Sequence, residues 1–262
     1  MKQIVNRPYI FVTNDDGIGA KGINELIKFL RPLGDLVVFA PAFSRSGASS
    51  AITTTAGVKV ELVSEEEGLT KYVCDGTPVD CVKVAMNRVL LRKPDLVVSG
   101  INHGHNAAIS VIYSGTMGAA AEGAIFNIPS VGFSLDSYLD DADFECARKV
   151  VAFVCGKMLE ETLPPETYLN VNIPFVENVK GIKLCSQTKG RWENEFCEET
   201  DETGEKRYFF SGEFVSAESQ LPTNDIAWLR KGYATIVPCK IDVTDYSVLS
   251  GMASWELSSL CE

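Results

Sequence analysis

Residues 9–30, YIFVTNDDGIGAKGINELIKFL, set three signals end to end: a β-branched and aromatic run, a turn with adjacent carboxylates at Asp15 and Asp16, and a helical stripe. The run predicts a strand over 8–12. Beyond the turn, Ile23, Leu26, Ile27 and Leu30 fall at i, i+3, i+4 and i+7, one apolar face of a helix starting near Lys21. Strand, polar turn and helix in that order make a βα unit, and the same alternation continues outward. Further strands are predicted over 36–39, 96–98, 130–133 and 169–173. Thr77 as N-cap, Pro78 in the first position and Asp80 in the third open a second helix, with Val79, Val82, Met86, Val89 and Leu90 on one face. An alanine-rich helix is expected from about Gly115 through Ala124, and a fourth over about 143–161, stopping before Pro164-Pro165. The pattern predicts the α/β class: a mostly parallel sheet flanked by helices.

After about Ile182 the texture changes. Residues 192–210 carry seven carboxylates with Gly204 in their midst, the pattern of an exposed hairpin or arm; a strand over 233–237 and a terminal helix follow. The predicted division is a catalytic core over 1–182 and a C-terminal β-hairpin and helix extension over 183–262, its arm serving oligomerisation and its end returning to the core. No linker separates the two.

With 262 residues and 45% hydrophobic content, the composition is that of an ordinary globular protein and excludes collagen, coiled coil and intrinsic disorder. The net charge of −11 argues against a nucleic-acid polymer or an anionic membrane as partner, so a phosphate-bearing ligand must be held locally by a metal or by aimed N–H groups. The eight cysteines lack any C-x-x-C pair and sit in apolar segments, which predicts reduced, core-filling thiols. Ahead of Thr13 lies only a short strand, and no apolar run approaches the roughly 18 residues of a membrane span. A cytoplasmic location is expected.

Three strands lead into polar loops: 13–17 after the first, 44–50 after the second, and 99–106 after the one at Leu96. In an open parallel sheet, loops at neighbouring carboxyl ends converge at the point where strand order reverses. Asp15 and Asp16 would repel each other in a desolvated cleft unless something positive sat beside them. Adding a hydroxyl such as Ser46 and an amide oxygen such as Asn102 gives an all-oxygen donor set, suited to Mg²⁺ or Mn²⁺ and not to zinc or copper. A plain Asx turn capping the next helix is the competing reading of 14–17. Gly47 allows close backbone approach to an anion, and Ser114, Gly115 and Thr116 open the alanine-rich helix as a second anion site or as a simple cap. His103 and His105, the only histidines, share the third loop with Asn106. Lys83 reads as a helix-surface charge. Residues 17–22 spell G-x-G-x-x-G after a strand, yet two carboxylates precede them and would repel a pyrophosphate.

These segments, in this order, resemble the SurE family. The matching stretches are TNDDGIGAKGI (13–23), AP (40–41), SRSGASSAIT (44–53), DGTPVDCVKVA (75–85), PDLVVSGINHGHN (94–106), YSGTMGAAAEGA (113–124), LNVNIP (169–174) and KGR (189–191). Further matches are TND (223–225), GYATIVP (232–238) and DVTDY (242–246). The resemblance implies a Rossmann-like core, a metal-dependent 5′-nucleotidase activity on nucleoside monophosphates through a metal-activated water, one divalent cation per subunit (Mg²⁺ or Mn²⁺), and a homodimer or homotetramer. Carried over by position, the metal ligands fall on Asp15, Asp16, Ser46 and Asn102, with Asp15 and Asp16 also catalytic. The phosphate side falls on Asn14, Gly47, Asn106, Ser114, Gly115 and Thr116. His103, His105 or solvent remain open as the source of the leaving-group proton. Met117, Ala121 and 237–239 depart from the family pattern without touching a proposed ligand. Two other readings stay open: a nucleotide-binding sensor without turnover, and a phosphatase acting on short polyphosphate or a sugar phosphate.

Overall fold

The computed structural model describes residues 7–139, 141–218 and 223–255. Cys261 and any continuation of the terminal helix past Trp255 lie outside the described residues. The chain runs β1 (Tyr9–Thr13), α1 (Lys21–Leu30), β2 (Asp35–Pro41), β3 (Val60–Glu66), β4 (Leu69–Cys74), α2 (Pro78–Val84), β5 (Leu96–His103), α3 (Gly115–Ile125) and β6 (Ser130–Asp136). It continues through α4 (Arg148–Glu160), β7 (Thr167–Pro174), β8 (Ile182–Leu184), β9 (Gly190–Glu193), β10 (Phe196–Thr200), β11 (Lys206–Phe210), β12 (Glu213–Ser216), α5 (Asp225–Arg230), β13 (Ala234–Lys240) and α6 (Tyr246–Gly251).

Nine strands form one sheet in the order β3-β4-β2-β1-β5-β6-β7-β13-β8. From β4 to β7 every pairing is parallel, with β3 and β13 antiparallel to their neighbours β4 and β7. This is the expected Rossmann-like α/β architecture. Both sheet faces are covered, so successive strand residues are buried whichever way they point. Ile10 and Val12 pack with Ile23, Leu26 and Leu30 of α1 and with Val151 and Val154 of α4. Phe11, between them in sequence, faces the opposite layer with Phe39, Val97, Val82 and Ala119. Each such fully buried Val, Leu, Ile or Phe side chain contributes about 1.5–3 kcal/mol.

Several expectations need correction. The pair β3–β4 was not predicted: its turn holds Gly68 at φ +69°, and β3 is an exposed edge whose Glu61, Glu65 and Glu66 hide its strand character. β5 runs on to His103, so the first residues of the expected third loop are strand. The fourth helix begins at Arg148, after a short 3₁₀ turn at Glu145–Ala147. The arm is longer than predicted, because β9 and β12 pair below the β10–β11 hairpin and extend it to Ser216. Lys83 reaches across from α2 to the buried Glu122 of α3, at 2.7 Å, and is not a free surface charge. The seven described cysteines are free thiols, but Cys197 is exposed on the arm and only Cys74, Cys81 and Cys155 are fully buried. No described helix is long and apolar enough to cross a membrane.

Strand order reverses between β1 and β5. The chain leaves β1 toward β2 and β4 on one side and builds β5, β6 and β7 on the other, so the loops after β1 and β5 border one crevice. Helix α1 returns against β5 so tightly that a Cβ on Gly22 would lie 1.9 Å from the Ile101 carbonyl oxygen. Gly22→Ala is therefore expected to destabilise the protein by about 1–3 kcal/mol in a urea titration, as overpacking of a rigid contact does; an unchanged midpoint would contradict that contact.

Candidate active site

Four segments distant in sequence meet at the carboxyl ends of β1 and β5. The Arg45 N–H donates to the Asp15 carbonyl (2.7 Å), fixing the Ser/Gly loop to the carboxylate turn. Ser49 in turn donates through its N–H to the Tyr113 carbonyl (3.2 Å) and through its hydroxyl to the Ile112 carbonyl (2.5 Å). The start of α3 closes onto the turn from the other side. A Cβ on Gly115 would lie 2.8 Å from the Asp15 Cβ, so only glycine lets the helix approach this closely.

Asp15 is buried, with 3% of its surface exposed, and its Oδ1 accepts a 2.5 Å hydrogen bond from the Thr116 hydroxyl. Desolvation first, and the Asp16 charge second, push its carboxyl up to about 6 despite that hydrogen bond. Burial also raises Asp16, opposed by His103 and by the Ser46 hydroxyl. His103 Nδ1 stands 3.7 Å from Asp16 Oδ2, and that oxygen is buried without a hydrogen-bond partner among the described residues. Two adjoining carboxylates, both pushed toward neutrality and one with an orphaned oxygen, form a site short of positive charge.

The other expected residues divide into those facing this pair and those bracing it. Ser46 lies on an exposed loop, 2.9 Å from the Ser44 hydroxyl, and its own hydroxyl faces Asp16. Asn102 donates through Nδ2 to the carbonyls of His103 (2.9 Å) and Gly104 (2.8 Å), which leaves its amide oxygen uncommitted. Gly47, at φ +74°, is exposed at the tip of the Ser/Gly loop. Asn14 is fully buried and donates to the Gly17 carbonyl (2.9 Å), bracing the carboxylate turn from beneath. Ser114 caps α3, its hydroxyl accepting from the Met117 N–H at 3.1 Å. Thr116 is committed to Asp15. His105 accepts from the Ala107 N–H through Nδ1 (3.3 Å), whereas His103 keeps a buried Nε2 without a partner. Among the described residues no three or more His, Cys, Asp and Glu side chains gather as a metal cluster. The donors available here are two carboxylates, a hydroxyl and an amide oxygen, a set that fits a hard divalent cation. A cavity of about 680 Å³ lies elsewhere, between the start of α4 and the segment after β7.

The sequence model of the family described as Survival protein SurE matches residues 10–194. The chain belongs to the SurE family. A relative from Bacteroides fragilis named 5′-nucleotidase SurE is 49% identical, the match covering 96% of this chain and 98% of the relative. One of the same name from Bacteroides thetaiotaomicron is 48% identical, with 98% and 97% covered. The crystal structure of the SurE protein from Aquifex aeolicus superposes with a TM-score of 0.81 at 34% identity, covering 97% of this chain and all of that one.

In this SurE chain the positioning of Asn106 depends on residues that sequence reasoning passed over. The Asn106 N–H donates to Asn172 Oδ1 (2.7 Å), its Nδ2 donates to the Ser134 hydroxyl (2.8 Å), and its carbonyl accepts from Asn170 Nδ2 (2.8 Å). Asn172 Nδ2 donates to Asn170 Oδ1 at 3.0 Å, completing a buried polar network at the end of β7. A signal was present in LNVNIP, where two asparagines at i and i+2 share one face of an otherwise apolar strand.

The raised Asp15 carboxyl has a consequence for stability. The folded protein holds that proton more tightly than the unfolded chain does, so the cost of ionising Asp15 is absent below about pH 4 and complete above about pH 6. At pH 7 in a chelator, Asp15→Asn is expected to be more stable than the native protein, by on the order of 1–3 kcal/mol, and the gain should vanish near pH 4. Denaturant titrations at both pH values check this; a destabilised Asp15→Asn at pH 7 would show that the carboxylate is already compensated.

Proposed function

We propose that this protein is a metal-dependent 5′-nucleotidase, a phosphomonoester hydrolase that converts nucleoside 5′-monophosphates to nucleoside and phosphate. The observation that carries this reading is the pair of buried Asp15 and half-buried Asp16, with its orphaned oxygen, set at the switch point of the sheet beside two loops suited to an anion. The names of the relatives point the same way.

In this reading Asp15, Asp16, Ser46 and Asn102 hold one divalent cation, Mg²⁺ or Mn²⁺. When bound, the ion supplies charge neutralisation for the phosphate dianion and activation of the attacking water. Thr116 fixes the Asp15 carboxylate in one orientation, and Asn102 is held by its own loop with the amide oxygen outward. The exposed backbone around Gly47 and the first turn of α3, at Ser114 to Thr116, receive the phosphate oxygens, where N–H groups and the positive end of the helix oppose developing charge. Asn106 lines the same crevice. His103, whose Nδ1 faces Asp16, is the side chain placed to supply the leaving-group proton, while His105 holds the shape of its loop.

The arm of β9 to β12 serves self-association into a homodimer or homotetramer, dividing an extension over 183–262 from the 1–182 core. In support, β10 and β11 are exposed along their whole length and present Phe196, Tyr208 and Phe210, which an isolated two-stranded hairpin cannot bury.

Purified protein, stripped with chelator and reloaded with Mn²⁺, is expected to release phosphate from AMP or GMP. Asp16→Asn and Asn102→Ala should each reduce kcat/KM at least a hundredfold. Ribose 5-phosphate and short polyphosphate should be poorer substrates, because trimming the nucleoside removes binding energy used in the transition state. Saturable nucleotide binding without phosphate release would identify a sensor, and equal kcat/KM across the phosphoester panel a general phosphatase.

A further inference from the structure

We infer that Asp225, in the C-terminal extension, is a positioning residue for the active-site loop: it holds Ala108, and through it residues 102–106, against the base of the arm. Asp225 is fully buried. Its Oδ2 accepts from the Ala108 N–H at 2.8 Å, whereas Oδ1 accepts from the N–H and hydroxyl of Thr188 (2.9 and 2.5 Å) and from the Ile226 N–H (2.8 Å). One carboxylate thus ties together three segments: the chain just past Asn106, the segment entering β9, and the start of α5. Ala107, Ala108 and Ile226 form a small apolar cluster around it, with Phe214 of the arm packed on the outside.

Ala108 needs to be held. Its φ is +53°, a left-handed conformation that alanine adopts at a cost, and Asp225 grips the N–H of that residue. Releasing the grip frees Ala108 to return to ordinary φ values and drags the peptide that follows Asn106. The two oxygens of Asp225 therefore do different work, Oδ1 joining the extension to itself and Oδ2 joining it to the site.

That separation allows a specific test, which rests on the hydrolase reading for its kinetic arm only. In Asp225→Asn the amide oxygen is claimed by the three donors on the Oδ1 side, which turns the NH₂ onto the Ala108 N–H, donor against donor. Thr188→Val removes one donor from the Oδ1 side and spares the Ala108 bond. Asp225→Asn is expected to lower kcat for AMP at least tenfold with KM changed less than threefold, and to speed hydrogen exchange at Ala108. Thr188→Val should lower the Tm comparably while keeping kcat within twofold. Adding Ala108→Gly to Asp225→Asn lets the loop take positive φ unaided and should restore at least a third of the lost kcat. The proposal is overturned if Asp225→Asn keeps kcat within twofold, if Thr188→Val loses as much activity as Asp225→Asn, or if Ala108→Gly restores nothing. Should Asp225→Asn not fold, the native protein decides: an Ala108 amide that exchanges within the dead time of the measurement is not clamped. If the native protein hydrolyses no phosphomonoester, the nucleotidase reading fails by itself. Mn²⁺ affinity and exchange at residues 102–108, compared between Asp225→Asn and Thr188→Val, then judge the clamp alone.

Discussion

Two carboxylates adjacent in sequence stand at the end of a strand buried from Ile10 onward, and the site is organised around that repulsion. Asp15 cannot move away, because its backbone is gripped by Arg45 and its side chain by Thr116. Asp16 cannot be neutralised by a lysine or arginine, since His103 is the only basic group paired with it among the described residues. Burial raises the cost of each charge, and proximity raises it again. A protein selected only for stability would replace one of the pair. Both are kept here, with Asp16 Oδ2 unpartnered, and under the proposed metal-dependent reading a cation attracted to the two carboxylates would also relieve their repulsion.

The fold supplies what this arrangement needs, which is rigidity in the supports and openness at the rim. Beneath the turn, Asn14 braces Gly17, and Phe11 and Val12 anchor β1 in opposite core layers. Gly22 and Gly115 allow two helices to approach closer than any other residue would permit, so α1 fixes β5 and α3 fixes Asp15. Above the turn, Ser46 and Gly47 lie on an exposed loop where a ligand can enter. The capping box of α2 reaches the same neighbourhood, since Asp80 accepts from both the N–H of Thr77 (2.9 Å) and the hydroxyl of Thr53 (2.7 Å), holding the far end of that loop.

Buried polar side chains carry the loop after β5, and they come from late in the chain. Asn170 and Asn172 hold it from β7, and Asp225 holds it from the extension. Because β13 lies inside the sheet beside β7, the extension is part of the scaffold that shapes the site. The arm springs from the same base.

The sequence by itself determined the βα rhythm, the helix starts at Lys21 and Pro78, and the grouping of Asp15, Asp16, Ser46 and Asn102 as candidate oxygen donors. These follow from local physics: period, capping and the rule that loops at neighbouring strand ends converge. It did not disclose β3 and β4, whose pairing overrides a charged composition, nor the reach of Lys83 to Glu122, which needs α2 and α3 side by side. Only the tertiary structure decided which polar residues face the carboxylates and which support them. Thr116 and Asn14 look alike as ligands on paper, yet one is bound to Asp15 and the other lies beneath the turn. The reason is that a side chain's chemistry is written in its own residue, whereas its partner is set by packing between segments far apart in the chain, as between Ala108 and Asp225, 117 positions apart.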